Sequence, residues 1–186
     1  MSAVTPKWNT LFSRLNLILK GGHVVRFHTK PTLKEETVAE HSYLVAWLLT
    51  LVMPTTPRAE HLLAALAHDL PEYVLGDLPS PAKKALGLGD LYRKEEAILF
   101  EAAGMPDYEG MLTPQEAEVL KFCDNLAGYL KCRYEMQLGN RTLSAVVVNY
   151  RAYIDKQIED SVHLPKEVCN LLMNHANAEH LLTEDN

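Results

Sequence analysis

Apolar positions recur at spacings of three and four along most of the chain, the period of amphipathic helices, and no stretch alternates in the way of a half-buried strand. Trp8, Leu11, Phe12, Leu15, Ile18 and Leu19 form the first stripe, stopped by Gly21-Gly22, and it reads as a packing helix. Thr37-Val38-Ala39-Glu40 has the spacing of a capping box and opens a helix to about Met53, before Pro54. Pro57 at a first helical position predicts a third helix, running to about Leu75 and broken at Gly76. Gly76 to Lys84 reads as a loop stiffened by proline, Asp90 to Ala103 as a helix ended by Gly104, and Met105 to Leu112 as a loop. Thr113-Pro114-Gln115-Glu116 combines a cap, a first-turn proline and a capping-box acid, so a long helix should follow to Leu138, stopped by Gly139-Asn140. Two more helices, about Leu143 to Glu159 and Pro165 to Leu182, complete an all-α bundle, with a frayed tail over 183–186.

The whole chain, 1–186, fits one domain with a substantial core. Hydrophobic residues at 47% and charged residues at 23% are those of an ordinary globular protein. A formal charge of −6 argues against a nucleic-acid polymer as partner, because binding a phosphate backbone leaves a basic stripe. Local positive charge can still serve a single nucleotide. No window approaches a membrane span, and the N-terminus lacks a signal pattern, so a cytoplasmic protein is expected. Cys123, Cys132 and Cys169 are odd in number and lack CxxC spacing, which predicts reduced, buried thiols.

The chemistry concentrates where an apolar run, Leu62 to Ala67, ends in His68-Asp69-Leu70-Pro71-Glu72. An imidazole beside a carboxylate at the end of a buried helix needs a partner, and a metal ion is one. A hydrogen-bonded His-Asp pair capping the helix is the other reading. Helical geometry sets Glu72 over the same sector as His68 and Asp69, beside an ion rather than on it, where a group handling protons is wanted. Pro71 predicts a kink or irregular turn, exposing the Ala67 carbonyl or opening room for a ligand.

Three other segments offer partners. Gly21 to Glu36 carries His23, Arg26, His28, Lys30 and Lys34, a local cationic excess that suits either an anion site or a solvated loop. His41 falls in the first turns of the second helix. Asp124 lies among Leu120, Phe122, Cys123 and Leu126, and an acid is seldom placed there for packing. Lys131, seven residues on, projects from nearly the same face, either toward a phosphate or as part of a polar seam.

Together His41, His68, Asp69 and Asp124 offer two imidazoles and two carboxylates from three helices, a ligand field for Zn, Mn, Co or Fe in the divalent state. The order H…HD…D around Glu40-His41-Ser42 resembles the HD-domain phosphohydrolase superfamily. Arg26, His68-Asp69-x-x-Glu72, the run Gly76-Asp77-Leu78-Pro79-Ser80-Pro81-Ala82-Lys83 and Asp124 with Tyr129-Leu130-Lys131-Cys132 resemble the bacterial 5'-deoxynucleotidases and their phage relatives, which include dATP triphosphohydrolases. The resemblance covers about residues 8 to 140, with helices over about 143–182 adding little. It implies a compact multi-helix HD bundle with the metal between helices, held by His41, His68, Asp69 and Asp124. It further implies that Glu72 works beside the metal, Arg26 meets the 5'-phosphate, and Asp77 reads the deoxyribose. Phe27 stands where relatives commonly carry Trp and can stack on a base. His28, Thr29, Lys83, Lys84 and Lys131 are available to a longer phosphate tail. The implied activity is phosphate release from deoxynucleoside 5'-monophosphates. The alternatives are removal of tripolyphosphate from a dATP-type triphosphate, a nucleotide-sensing module without turnover, and a non-catalytic helical interaction domain. The resemblance also implies a homodimer or larger ring.

Overall fold

The structure, a computed structural model, describes residues 8–177, with side chains from Thr10 onward. The Trp8 side chain, the end of the last helix at Leu182 and the tail after it lie outside the described residues. The described chain forms helices joined by loops, with one isolated bridge between Val25 and Thr37 and no strand.

Local rules account for the main elements. Thr37 caps α2 (Val38–Val52): its hydroxyl accepts from the Glu40 N–H while Glu40 reaches back to the Thr37 N–H at 2.8 Å. Thr113 and Glu116 repeat this at the start of α7 (Pro114–Gln137), whose end is followed by Gly139 at φ 97°. Between them α3 (Ala59–Ala67) starts two residues later than Pro57 suggested. Its first turn is closed by the buried His61, whose Nδ1 accepts from the Arg58 N–H and whose Nε2 lies 2.8 Å from Glu116.

The main core is shared by α2, α3, α7, α8 (Ser144–Asp160, preceded by a 3-10 turn) and α9 (Lys166–Ala176). Val45, Leu49, Phe122, Leu126, Ile154 and Met173 are fully buried there, each burial worth about 1.5–3 kcal/mol. In α3 the buried apolar residues are Ala64, Ala65 and Ala67, while Leu63 and Leu66 are exposed. Small side chains let α3 approach α2 closely, which brings the end of α3 up to the first turn of α2.

Two elements differ from the sequence reading. In α1 (Trp8–Gly22) the stripe Leu11, Phe12, Leu15, Ile18 and Leu19 faces outward, and of the described side chains Leu17 is the buried one, against Leu70 and Phe100. The helix runs through both glycines. Gly21 is there for contact: a Cβ on it would stand 2.5 Å from the Leu70 carbonyl oxygen. The proline-rich segment after Gly76 is half helical, because Pro81 sits in the first turn of α5 (Ser80–Ala85), where its missing N–H costs nothing. Helix α6 (Gly89–Ala102) follows, and the Tyr92 hydroxyl donates to the Leu75 carbonyl at 3.1 Å, tying α6 to the segment before Gly76.

Candidate metal centre

The functional side chains meet where the start of α2, the broken end of α3 and the middle of α7 converge. Helix α3 stops at Ala67 because Pro71 has no N–H to continue it. The turn tightens instead: the Leu70 N–H donates to the Ala67 carbonyl and the Glu72 N–H to the Asp69 carbonyl, both at 3.0 Å. The Ala67 carbonyl is therefore occupied rather than exposed, which rules out one of the two outcomes that Pro71 suggested. A one-turn helix, α4 (Glu72–Leu75), resumes and is closed by Gly76 at φ 80°. Leaving the helical path at this point lets neighbouring residues His68 and Asp69 face one spot.

Around that spot His41 Nε2 lies 3.1 Å from Asp124 Oδ1 and 3.8 Å from Asp69 Oδ2. His68 Nε2 lies 3.3 Å from Asp69 Oδ2 and 3.8 Å from Asp124 Oδ1. His41, His68 and Asp124 form a compact ligand group, each offering an atom within 4.8 Å of the others. The Asp69 oxygen that faces both imidazoles also accepts from Arg26 Nη1. The donor set fits a divalent cation. His68 Nδ1 is held by the Ala65 carbonyl at 2.9 Å, which fixes the ring and turns Nε2 into the site, buried and without a hydrogen-bond partner.

The electrostatics describe the same unmet charge. Although burial opposes it, the carboxylates of Asp69 and Asp124 push His68 well above the usual imidazole range. Burial raises both acids, yet His68 and Arg26 hold Asp69 below its usual value, and Lys121 with the imidazoles does the same to Asp124. Burial lowers His41.

Arg26 comes from the loop after α1. Its N–H donates to the Glu36 carbonyl at 2.9 Å, and Nε pairs with the Glu36 carboxylate at 3.3 Å without hydrogen-bond geometry. Burial pushes the Glu36 carboxyl up to about 6 against the pull of Arg26. Phe27 beside it has φ 56°, unusual for an aromatic residue; its ring packs against the main core, 5.9 Å from the Arg26 guanidinium. Glu72 is buried, with Lys83 Nζ 3.9 Å from Oε1. Burial, and then Asp69 and Asp77, push its carboxyl up to about 9. Asp77 lies 3.5 Å from His28, which is half exposed. Lys83 also sits over the Tyr92 ring at 4.6 Å.

A cavity of about 170 Å³ opens on His68, Asp69 and Asp124 and is completed by Lys83, Lys121, Glu96 and Glu109. A larger groove of about 490 Å³, lined among others by Lys34, Glu36, Glu40, Lys131, Tyr134 and His175, contains none of the candidate metal ligands. Lys131 does not reach the metal side. Its ammonium is buried, donating to Glu135 at 2.8 Å and to the Lys34 carbonyl, so of the two sequence readings, a phosphate contact or a polar seam, the contacts are those of a buried polar seam. Lys121, which sequence reasoning missed, donates to Asp124 Oδ2 at 2.7 Å, and its signal was its position one turn before Asp124. Glu36 had no local signal, since it meets Arg26 only through the return of the loop.

An all-helical fold that gathers imidazoles and carboxylates at a broken helix, with an arginine on one carboxylate, assigns the chain to the metal-dependent phosphohydrolases of the HD superfamily. Comparison with known proteins narrows the class. Residues 11–169 match the 5'-deoxynucleotidase YfbR-like family, and the chain belongs to it. It is 28% identical over 169 residues to a 5'-deoxynucleotidase of Photorhabdus laumondii, a match covering 80% of this chain and 81% of the relative. It is 32% identical over 152 residues to 5'-deoxynucleotidase YfbR of Salmonella arizonae, covering 69% and 72%. Over 118 residues it is 31% identical to the dATP triphosphohydrolase of cyanophage S-2L, covering 60% and 65%. Among solved structures, the cyanophage S-2L HD phosphohydrolase bound to dA and one catalytic Zn²⁺ superposes with a TM-score of 0.67 at 24% identity, over 94% of this chain and 96% of that one, a likeness of fold.

Proposed function

We propose that this chain releases phosphate from deoxynucleoside 5'-monophosphates, using a divalent metal held by His41, His68, Asp69 and Asp124. The observation that carries the reading is the buried Nε2 of His68, which makes no hydrogen bond yet faces two carboxylates and a second imidazole. A divalent cation held there would supply Lewis acidity toward water and phosphoryl oxygen. The nitrogen and oxygen donor set suits Zn, Co, Mn or Fe.

The chain's own residues supply the rest. Arg26 would turn from Asp69 to the 5'-phosphate, keeping Glu36 as its second partner, while Lys83 and Lys121 at the rim of the small cavity neutralise phosphoryl charge. Water attacks phosphorus and the bond from phosphorus to the 5'-oxygen breaks. Glu72, buried beside Asp69, would take the proton released by the attacking water and pass it to that 5'-oxygen, giving the deoxynucleoside and inorganic phosphate. Asp77 would accept from the 3'-hydroxyl and Phe27 would stack on the base, with His28 beside Asp77. A cavity of about 170 Å³ containing Glu96 and Glu109 suits one phosphate better than three, which favours the monophosphate over a dATP-type substrate. The likeness to a phosphohydrolase bound to dA and Zn²⁺ supports a deoxynucleoside ligand.

We read residues 1–186 as one cytoplasmic domain, a reading supported by three buried free cysteines. The outward apolar face of α1 supports a homodimer or larger ring. The test is phosphate release from dAMP, dGMP, dCMP and TMP, with dATP in parallel. Turnover of a monophosphate that is lost in EDTA and in His68→Ala supports the assignment. Full turnover by the metal-stripped protein refutes it, and tripolyphosphate from dATP as sole product would move the reading to the triphosphate.

A further inference from the structure

The chain holds a second buried charge cluster, which the chemistry above does not use. Glu135, near the end of α7, is fully buried, and each of its oxygens accepts two hydrogen bonds. Oε1 takes the Lys34 N–H at 2.9 Å and Lys131 Nζ at 2.8 Å; Oε2 takes the Leu33 N–H at 2.7 Å and Asn140 Nδ2 at 2.8 Å. Asn140 Nδ2 also donates to the Pro31 carbonyl at 2.9 Å, the Thr142 hydroxyl does so at 3.1 Å, and Lys131 donates to the Lys34 carbonyl.

Every one of these bonds grips the backbone of residues 31–34 or the carboxylate that grips it. The segment has neither helix nor strand of its own, and the side chains of Leu33, Lys34 and Glu35 are exposed, so apolar packing does little to fix its path. Two residues beyond the clamp is Glu36, whose carbonyl accepts the Arg26 N–H and whose carboxylate pairs with Arg26 Nε. The far nitrogen of the same guanidinium is on Asp69.

We propose that Glu135 is a positioning residue for Arg26: by fixing residues 31–34 it sets Glu36, and through Glu36 the direction of the guanidinium at the phosphate. The proposal rests on Arg26 meeting phosphate. A saturated buried carboxylate suits the task, because slippage of the segment would strand its lone pairs. Its carboxyl, low at about 2 through Asn140, Lys131 and the two backbone amides despite burial, fits a clamp that stays ionised. A purely structural reading, a buried ion pair holding α7 together, predicts otherwise. Apolar residues of similar volume would then replace Lys131 and Glu135 without loss of activity.

The experiment is a kinetic cycle on the metal-loaded full chain, reading kcat and KM for dNMP hydrolysis in Glu135→Gln, Arg26→Ala and the combination, with thermal unfolding alongside. Misdirecting the guanidinium by about an ångström should cost Glu135→Gln 10- to 100-fold in kcat/KM. In the Arg26→Ala background the same change should cost less than about twofold, since the group it directs is gone. The paired replacement Lys131→Met with Glu135→Leu covers the case in which Glu135→Gln does not fold, and it should fold yet show the same loss. Independent, multiplying losses overturn the proposal while leaving Arg26 in its role, as does wild-type turnover in the folded double replacement. Undiminished turnover by Arg26→Ala overturns both.

Discussion

Replacing Glu72 by Gln isolates the electrostatics of the candidate centre in one pH-dependent difference. Glu72 is 6% exposed, and burial, reinforced by Asp69 and Asp77, pushes its carboxyl up to about 9 from an ordinary 4.5. A folded value above the unfolded one gives stability that is complete below pH 4.5 and lost as pH rises through 9. Between pH 5 and 8 the folded protein keeps the proton that the unfolded chain has released, so stability falls by about 1.36 kcal/mol per pH unit. Three pH units set a ceiling of about 4 kcal/mol, and relaxation with water penetration brings the expected loss to about 2 kcal/mol. Glutamine fills the same space without the proton. The stability of Glu72→Gln minus that of wild type should therefore rise by about 2 kcal/mol from pH 5 to pH 8. Urea unfolding in EDTA at pH 5, 6.5 and 8 measures this, and Glu36, itself raised to about 6, cancels in the difference. Adding the divalent metal should shrink the wild-type slope, because a cation beside Glu72 favours its ionised form. Parallel stability curves for the two proteins in EDTA would refute the argument that Glu72 carries a proton at neutral pH.

Two further outcomes test other parts of the structure. Asp77→Ala should narrow the ratio of deoxyribonucleotide to ribonucleotide turnover by about tenfold, the worth of one hydrogen bond to a charged group, and a ratio that does not move would remove Asp77 from sugar reading. Gly21→Ala should destabilise the protein by about 1–3 kcal/mol in thermal or urea unfolding, since its Cβ would stand 2.5 Å from the Leu70 carbonyl oxygen; an unchanged midpoint would mean that α1 moves away freely.

Much of the fold was legible because its signals are local. The boxes at Thr37 and Thr113 are hydrogen bonds over three residues, and they were readable as pairs of residue types. What could not be read was which surface covers an apolar face. The stripe Leu11 to Leu19 has helical periodicity, yet periodicity says only that one side is apolar, and in this chain Leu17 and Gly21 make the contact instead. Small residues mislead for the same reason. Ala64 and Ala65 carry less apolar area than their leucine neighbours but sit deepest, because they lie on the face of α3 that packs into the main core. The segment from Ser80 was read as loop from its prolines, although proline in a first helical turn is compatible with helix.

The candidate site shows where residue spacing is a sufficient guide and where helix polarity must be added. His41, His68, Asp69 and Asp124 are groups that burial penalises without a partner, yet their types alone left a hydrogen-bonded His-Asp cap open, and only their combination and the resemblance joined them; the structure brings them together. On α7 the choice of cation turned on direction. Side chains lean toward a helix's N-terminus, so Asp124 overhangs the turn that contains Lys121, and its Oδ2 accepts from that lysine at 2.7 Å. Lys131 shares the face of Asp124 but lies about 10 Å farther along the axis at 1.5 Å per residue. At that distance the nearer unpaired charge decides, and Glu135, one turn on and fully buried, claims the ammonium at 2.8 Å. The two lysines thus divide between two carboxylates, Lys121 on Asp124 at the candidate metal centre and Lys131 on Glu135, and the same helix carries both the candidate centre and the carboxylate that holds the segment leading to Glu36.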